Sequence, residues 1–597
     1  MKTPTVLVLA ILTGLSAFAE TINFVEPAKP YDNSPTFKTR RGKFDTGRPF
    51  LVPALTWAAD GIIMDLNHGL SPKNDSPLAK AIGRPVEIKI ENRVDNQVAD
   101  IISGKSVIFR GTSGQIALIS GALKKFDPNL ELITFVQLSN STGADAFVSK
   151  NLNNLTELKG ETIITQLYGP HPELIANILR DAGLSALDVN LKYVLDITNP
   201  AWKPGAPVTD PANAFRFERD ATGVTVIDVD ALGLTGGKVG TGRDGTVADA
   251  KTTFSTKTAP NIIFDCYAVT KEFLLAHPET IEAFRKAVLG AEEDWLKSLD
   301  GLARKSKEEK AKLRERAKPL AKIIMDDANL VNDYLLWLSE GSRLAGNNGN
   351  KDFFNTSNPN GFQSSTQRVQ EFYKTLGMIS EVSPLIANAP FADNAPKAAA
   401  TPAKKAFASE MAVRQAAESA SATVLYPYTF QFSPQDANVR WQDYQDTFKK
   451  IYEIYTRYGG AIVQVRGHGD NFFYKFVQAK KSKGDTTFQR KDKVTGQFLP
   501  PEPLPDPVQI LNDSNALSYT RAFNVKAAFA AYVKDNFGLS PSEIDLSRFD
   551  IKGMGISKPA VETPKSAEDR AKNMRCEILV IAAESELPSN LSSDDLQ

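Results

Sequence analysis

The sequence predicts an α/β protein built from two folded units. Between residues 50 and about 380, short apolar runs alternate with amphipathic segments, an order that predicts helices layered on largely parallel strands. Between residues 384 and 423 the composition shifts to Ala, Pro, Lys and Ser, which is typical of a linker. Strand and helix patterns return in residues 424–585. We therefore expect a large α/β unit, a flexible connection and a smaller α/β domain.

Residues 1–19 have the pattern of a secretory signal peptide. Lys2 precedes an apolar run that ends near Leu15, and Ala17-Phe-Ala19 forms an Ala-x-Ala cleavage site. Glu20 stands where a lipoprotein would need Cys, and no later stretch is apolar for long enough to cross a bilayer. We expect an exported, periplasmic protein without a lipid anchor or a membrane span.

The large unit is predicted element by element. Residues 20–49 are polar and rich in Pro, Lys and Arg, which predicts an extended lead-in. Apolar runs then predict strands at Phe50–Thr56, Val86–Ile90, Val107–Phe109, Leu132–Val136, Ala146–Val148 and Thr162–Thr165. Periodic segments predict helices at Ala59–Asn67, at Asn96–Ser103, after Gly114, through much of 278–345 and at Phe362–Met378.

Four segments resemble type II periplasmic solute-binding proteins, in the branch that serves nitrate, sulfonate and taurine transporters. They are Trp57-Ala-Ala-Asp60-Gly61, Gln97–Gly104 with Arg110-Gly-Thr112, Asn154–Gly160, and Lys271–Glu279. The resemblance implies a two-lobed α/β clamshell over residues 50–383, with crossover strands near Gly143–Phe147 and Ile262–Val269. It also implies a receptor that delivers a small solute to an ABC permease in the inner membrane, or to a sensor.

Helix starts that follow strands predict the solute site, because ligands of such sheets bind beyond the carboxyl ends of the strands. Backbone N–H groups and the positive end of a helix dipole favour an oxyanion there. With few basic side chains nearby, we expect a small anionic or zwitterionic organic solute. The candidate ligand-binding residues are Trp57, Asp60, Thr112, Ser113, Ser139, Tyr168 and His171. Core packing of Trp57, a first-turn acid at Asp60 and a helix cap at His171 are the structural alternatives.

Two C-terminal fragments carry a carboxylate and a guanidinium that could together bind a zwitterion. The strand pattern of Ile462–Arg466 runs into the turn Gly467-His-Gly-Asp470, and Asn515–Val525 reads as the start of a helix that carries Arg521 in its first turns. A guanidinium fork grips a carboxylate and an Asp accepts an ammonium, so the pair suits a zwitterion. A plain surface ion pair is the alternative.

These fragments resemble the OmpA-like peptidoglycan-binding domain, whose turn reads Gly-His-Thr-Asp and whose helix reads Leu-Ser-x-x-Arg-Ala. Gly553–Pro559 and Asn573–Ile578 extend the resemblance, while Gly469, Ser514 and the long stretch 471–511 depart from it. The resemblance implies a βαβαββ domain over residues 424–585 that holds the diaminopimelate of the wall without a covalent bond. The residues it assigns to peptidoglycan are Asp470, Arg521, Leu517, Asn515 and Arg575. We expect residues 586–597 to be a disordered tail.

Composition bounds the function. The 70 basic and 70 acidic residues cancel, so a nucleic-acid role has no electrostatic support. The four histidines have no metal-ligand spacing, and no cofactor is expected. We therefore predict a wall-attached solute receptor without catalysis, in which the linker lets both units act independently. The alternatives are an adaptor whose lobes hold no ligand, and an enzyme like the pyrimidine-precursor synthases, whose Cys-rich segment and paired histidines this chain lacks.

Overall fold

The computed structural model describes residues 20–152, 154–388, 409–418, 423–458, 461–492, 494–540, 544–582 and 596. The predicted signal peptide, residues 389–408 of the predicted linker, and residues 586–595 and 597 of the predicted tail lie outside the described residues. Within the described ranges, no helix is both long enough and apolar enough to span a membrane.

Residues 50–141 and 264–387 form one lobe (lobe 1), and residues 145–255 form a second (lobe 2). The first half of lobe 1 contains the strands predicted there, with ends that shift by a few residues. The elements are β1 (Phe50–Ala54), α1 (Gly61–Leu66), α2 (Pro77–Ile82), β2 (Val86–Ile90), α3 (Val94–Ile102), β3 (Ile108–Thr112), α4 (Ser113–Phe126) and β4 (Leu132–Ser141). β1, β3 and β4 are largely buried, whereas β2 buries Val86 and Ile88 and exposes Glu87.

Lobe 2 is one continuous insertion between the two halves of lobe 1. Its elements are β5 (Asp145–Lys150), β6 (Thr162–Gln166), α5 (His171–Asp181), β7 (Asn190–Val194), α6 (Pro211–Phe217), β8 (Ala221–Ile227), α7 (Asp228–Thr235) and β9 (Ala250–Ser255). The strands form a sheet in the order β7-β6-β8-β5-β9. The chain enters this lobe between residues 141 and 145 and leaves it between 255 and 264, close to both predicted crossovers.

The returning chain completes lobe 1. Its elements are β10 (Phe264–Thr270), α8 (Lys271–Ala276), α9 (Pro278–Leu299), α10 (Lys307–Ile324), α11 (Val331–Leu336), β11 (Ser342–Leu344), α12 (Gly346–Phe353), α13 (Phe362–Thr375) and β12 (Ile386–Ala387). The lobe 1 sheet has the order β11-β4-β10-β3, and β1 pairs with β2 beside it. The expectation of largely parallel strands is wrong, because β10 and β5 run antiparallel to their neighbours where the chain crosses between lobes.

The predicted lead-in, residues 20–49, packs across both lobes. Ile22 and Val25 form bridges to Val208 and Tyr193 of lobe 2, and the Gly42 N–H donates to the Ile102 carbonyl of lobe 1. Between these points Tyr31 is 1% exposed, because its ring packs edge-on against Tyr168 and its hydroxyl donates to Asp95 (2.6 Å). The lead-in is therefore part of the folded body.

The C-terminal unit comprises the described residues from 409 to 582. Its elements are α14 (Glu410–Glu418), β13 (Thr423–Gln431), α15 (Gln445–Arg457), β14 (Ala461–Gly467), α16 (Phe472–Ser482), β15 (Thr487–Phe488), β16 (Glu502–Pro503), α17 (Pro507–Phe537), β17 (Phe549–Gly553), α18 (Ala567–Asn573) and β18 (Arg575–Ala582). The sheet order is β13-β18-β14-β17, with β14 and β17 parallel. Without α16, α18 and the short hairpin of β15 and β16, the order of these elements after α14 is the predicted βαβαββ.

Two local predictions in the C-terminal unit are wrong, and the stretch 471–511 has a structure that the sequence did not predict. Helix α14 lies inside the predicted linker and packs its Val413 against Ile462 and Ile581. Residues 472–503 form a helix and a hairpin around their own small core of Val477, Phe488 and Leu504. Helix α17 starts ten residues before Leu517, since Pro507 at its first position and the Asp506 side-chain cap fix its start.

The C-terminal unit docks on lobe 2, which the linker did not predict. Arg457 donates to both oxygens of Asp181 (2.7 Å each), and the Tyr458 hydroxyl donates to the same carboxylate (2.6 Å). The unit also contacts lobe 1, because Asn360, just before α13, accepts a hydrogen bond from Arg457 Nε (3.3 Å) and donates to Thr456 Oγ1 (2.9 Å). Arg457 and Asp181 are each 1% exposed, so this ion pair is buried within the interface.

Candidate functional site

The lobe 1 candidates surround a buried arginine at the end of β3. Arg110 donates through Nε and Nη2 to the two oxygens of Asp60 (2.9 and 2.8 Å), and both side chains are fully buried. The Trp57 ring covers the guanidinium at 5.2 Å from its centroid. Asp60 is thus the fork partner of Arg110 rather than a helix-start acid with a free carboxylate.

A second carboxylate shares this arginine. Asp265, at the start of β10, lies 3.4 Å from Arg110 Nη1 and accepts a hydrogen bond from Ser139 Oγ (2.6 Å). Burial raises the pKa of Asp265 to about 6, although Arg110 opposes the shift. Burial also raises the pKa of Asp60. One guanidinium therefore faces two carboxyl groups, and Ser139 joins the cluster through Asp265.

The start of α4 is capped from within the helix. The Gln115 N–H donates to Thr112 Oγ1 (3.1 Å), and the Thr112 N–H donates to Gln115 Oε1 (2.8 Å), which is a capping box. Gln115 also donates through Nε2 to the backbone carbonyl of Tyr168 in lobe 2 (2.9 Å). Thr112 is therefore engaged in its own helix, and the start of α4 is tied to lobe 2.

Lobe 2 contributes a residue that the sequence analysis missed. Glu173, in the first turn of α5, places Oε1 2.8 Å from Ser113 Oγ and accepts a second hydrogen bond from the Gly114 N–H. The carboxyl group therefore occupies the N-terminus of α4, where a solute oxyanion was expected. Burial raises the pKa of Glu173 to about 8. Its position in an amphipathic first turn gave no sign that it crosses between lobes.

The two lobe 2 candidates lie beside this contact. The His171 ring is fully buried, and its Nε2 lies 3.0 Å from Asp145 at the start of β5. The Tyr168 hydroxyl accepts a hydrogen bond from the Ala28 N–H of the lead-in (2.8 Å). Both side chains therefore bond to other parts of the protein. Three surface cavities, of about 280, 560 and 780 Å³, are lined by none of the residues predicted to bind the solute.

The structure does not pair Asp470 with Arg521. Asp470 Oδ2 instead accepts a hydrogen bond from Arg570 Nε of α18 (2.7 Å). Arg521 lies in the middle of α17, is 1% exposed and donates to the backbone carbonyls of Asp436 (2.8 Å), His468 (2.8 Å) and Ser433 (3.2 Å). Arg521 thus holds the turn that carries Asp470, and its predicted place in a helix's first turns is wrong.

The remaining wall candidates surround the same turn. Asn515 is exposed and its backbone carbonyl accepts from Ser518 Oγ, while Leu517 is partly buried. Arg575 donates to Glu577 through Nε and Nη2 (2.9 and 2.6 Å). His468 and Arg575 lower the pKa of Glu577 to about 2. Arg570 is the residue that sequence reasoning missed, although a basic residue shortly before the Asn573 motif was a visible signal.

Within the described part of the chain, no group of three or more His, Cys, Asp and Glu side chains is arranged to hold a metal ion. Cys266 and Cys576 are both buried and free.

Comparison with known proteins gives matches of fold only. No family model matches the chain, and no curated protein matches it. One similar structure is the alkanesulfonate-binding protein SsuA from Xanthomonas axonopodis pv. citri bound to MOPS, with 13% identity over 57% of this chain and 98% of that chain (TM-score 0.37). A second is the periplasmic aliphatic sulphonate binding protein SsuA from Escherichia coli, with 14% identity over 56% of this chain and 94% of that chain (TM-score 0.37). A third is the periplasmic nitrate-binding protein NrtA from Synechocystis PCC 6803, with 12% identity over 48% of this chain and 70% of that chain (TM-score 0.30). These values assign neither a family nor a function to this chain, and the OmpA-like resemblance stays a prediction.

Proposed function

We propose that the chain is a periplasmic solute receptor that captures a small anionic or zwitterionic organic molecule between its lobes for an ABC permease or a sensor. The observation that supports it is the meeting of polar groups from both lobes at the start of α4. Ser113 and Gly114 offer a hydroxyl and an N–H from lobe 1, and Glu173 reaches them from lobe 2. A hinge that parts the lobes would expose these donors to a solute.

The charges around the site favour a zwitterion over a simple anion. The single guanidinium of Arg110 is shared by the carboxyl groups of Asp60 and Asp265, so this cluster holds one more acid than base. A solute ammonium would offset this excess of acid, while its carboxylate or sulfonate would accept from Ser113 and Gly114.

The test is a binding screen of the full-length chain with amino acids, amino-sulfonates, simple sulfonates, carboxylates and nitrate. A ligand at one hundred times its dissociation constant should stabilise the folded chain by about 2.7 kcal/mol, which a thermal-shift assay detects. Zwitterions should give the largest shift. A screen in which only cations bind would contradict the proposal.

The second candidate is a structural adaptor with no small-molecule ligand. It is favoured by the fact that Asp60, Thr112, Ser113, Ser139 and His171 all already bond to other groups of the chain. If no compound of the screen raises the melting temperature of the protein, yet the protein binds peptidoglycan, the result supports the adaptor.

We propose further that the C-terminal unit attaches the receptor to peptidoglycan, with Asp470 accepting the ammonium of diaminopimelate. Arg521 fixes the Asp470 turn through the His468 carbonyl, and the fork of Arg570 beside Asp470 is a second group for the carboxylate. Loss of Asp470 should cost about 2–5 kcal/mol of binding, which is some thirty-fold or more in affinity.

Co-sedimentation of the full-length chain with purified sacculi tests this attachment. Asp470→Asn should sediment at least thirty-fold more weakly than wild type. Asp485→Asn is the matched control, because Asp485 is an acid of the same unit that pairs with Lys480 (2.9 Å) away from the turn. Equal sedimentation of both variants and wild type would place the wall contact elsewhere.

A further inference from the structure

Helices α4 and α5 belong to different lobes and meet at their N-termini. Glu173 from α5 bonds to Ser113 and Gly114 of α4, and Gln115 of α4 bonds back to the Tyr168 carbonyl before α5. Two polar contacts thus tie the lobes together at one point. Any opening of the lobes at this point must break both.

The start of α4 lies close against the Glu173 side chain. A Cβ at Gly114 would lie 2.6 Å from Glu173 Cδ, so glycine at this position lets the carboxyl group approach the α4 backbone. The Thr112 and Gln115 N–H groups are taken by the capping box, so the Gly114 N–H and the Ser113 hydroxyl are the donors that the cap does not use. Glu173 takes both of them.

The Glu173 contact is incomplete on the lobe 2 side. Glu173 is 1% exposed, and its Oε2 has no hydrogen-bond partner among the described residues. The ionisable groups that interact electrostatically with it include the Asp265 carboxyl, the Cys266 thiol and the Tyr373 hydroxyl. A buried polar oxygen without a partner costs free energy, which water or a ligand would recover. The contact is therefore easier to exchange than a fully bonded one.

We propose that Glu173 is an internal occupant of the anion position of the solute site. It bridges the lobes when the site holds no solute, and a carboxylate or sulfonate of the solute displaces it from Ser113 and Gly114. The displacement rests on the proposed receptor function, whereas the bridge itself does not.

The test removes the internal carboxyl group and supplies it in solution. Glu173→Ala lacks the terminal CH2 and carboxyl group of Glu173, which acetate replaces. In the full-length variant, hydrogen exchange of the amides in residues 113–118 should be at least tenfold faster than in wild type, and millimolar acetate should return it to within twofold. Methylammonium chloride should have no effect. Glu87→Ala, which removes an exposed acid of β2, is the control and should exchange like wild type.

Unchanged exchange in Glu173→Ala, or faster exchange that acetate does not slow, would overturn the proposal. If Glu173→Ala does not fold, Glu173→Ser keeps a polar side chain that is too short to reach the Ser113 and Gly114 donors. Acetate should then bind Glu173→Ser more tightly than wild type, and equal or weaker binding would overturn the proposal. Since acetate rescue needs no natural solute, rescue together with an empty solute screen would refute the receptor and keep the bridge. A solute that binds wild type and Glu173→Ser equally would keep the receptor and refute the displacement.

Discussion

Two buried polar contacts join separate parts of this chain, and they differ in how well they are satisfied. At the C-terminal interface, Arg457 and Tyr458 give three hydrogen bonds to the single carboxylate of Asp181, with opposite charges paired. Between the lobes, Glu173 accepts from two neutral donors, and its Oε2 has no hydrogen-bond partner in the described part of the chain. We therefore expect the Asp181 contact to stay formed and the Glu173 contact to break and re-form.

The difference assigns a role to each boundary. The C-terminal unit should stay on lobe 2 whether or not a solute is bound, because breaking the Asp181 pair would leave a buried charge without a partner. The lobes should move relative to each other at Glu173. Movement of the lobes would then be carried to the C-terminal unit through a rigid lobe 2, and the linker would not decouple the two units.

The largest expected effect is that of Arg457→Ala. Removing the guanidinium leaves the Asp181 carboxylate buried and unpaired, which should destabilise the docked fold by about 3–5 kcal/mol. Urea unfolding measures the loss, and small-angle scattering should show a larger radius of gyration. Arg180→Ala is the matched control, since Arg180 pairs with Glu453 (3.2 Å) across the same interface but is 41% exposed. Its cost should stay below about 1 kcal/mol. If the two variants lowered the free energy of unfolding equally, the buried Asp181 pair would not be what fixes the C-terminal unit on lobe 2.

The pH dependence of stability should be smaller in Glu173→Gln than in wild type. Because burial raises the pKa of Glu173 to about 8, the folded chain holds this proton at pH values where the unfolded chain has lost it. Its contribution to stability is therefore complete below the unfolded pKa of about 4.5 and is lost as the pH rises toward 8. The slope is at most about 1.4 kcal/mol per pH unit.

Denaturant unfolding of both proteins between pH 4.5 and 9 measures this difference. Other buried acids, such as Asp265, contribute equally to both proteins and cancel in the comparison. Parallel curves would mean that Glu173 titrates normally and that the contact between the lobes is not strained by burial.

The smallest expected effect is that of Tyr31→Phe. The change removes the hydrogen bond from the lead-in to Asp95 and keeps the ring contact with Tyr168, so stability should fall by about 1 kcal/mol. Tyr31→Ala also removes the ring and should cost several times more, as urea unfolding would show. If Tyr31→Phe destabilised the protein as much as Tyr31→Ala, the hydrogen bond to Asp95 rather than the packing of the ring would hold the lead-in in place.

The sequence predicts local elements well and long-range contacts poorly. Val86–Ile90 is a strand as predicted, because β-branched residues alternate within it. The start of α17 was missed because Ser518 resembles a cap, although Asp506 and Pro507 carry the stronger start signal. Asp181 and Arg457 lie 276 positions apart, and no periodicity joins them. Glu173 was missed for the same reason, since only the folded lobes bring it to Ser113.

The most direct test of the receptor is native mass spectrometry of the full-length protein purified from its own periplasm. The proposed function predicts a single small organic adduct on the wild-type protein, with a mass that corresponds to a carboxylate, a sulfonate or their amino derivatives. The adduct should be retained in Arg180→Ala, which leaves the solute site intact. Wild-type protein that carries no adduct and instead co-purifies with a protein partner would contradict the receptor and support the adaptor.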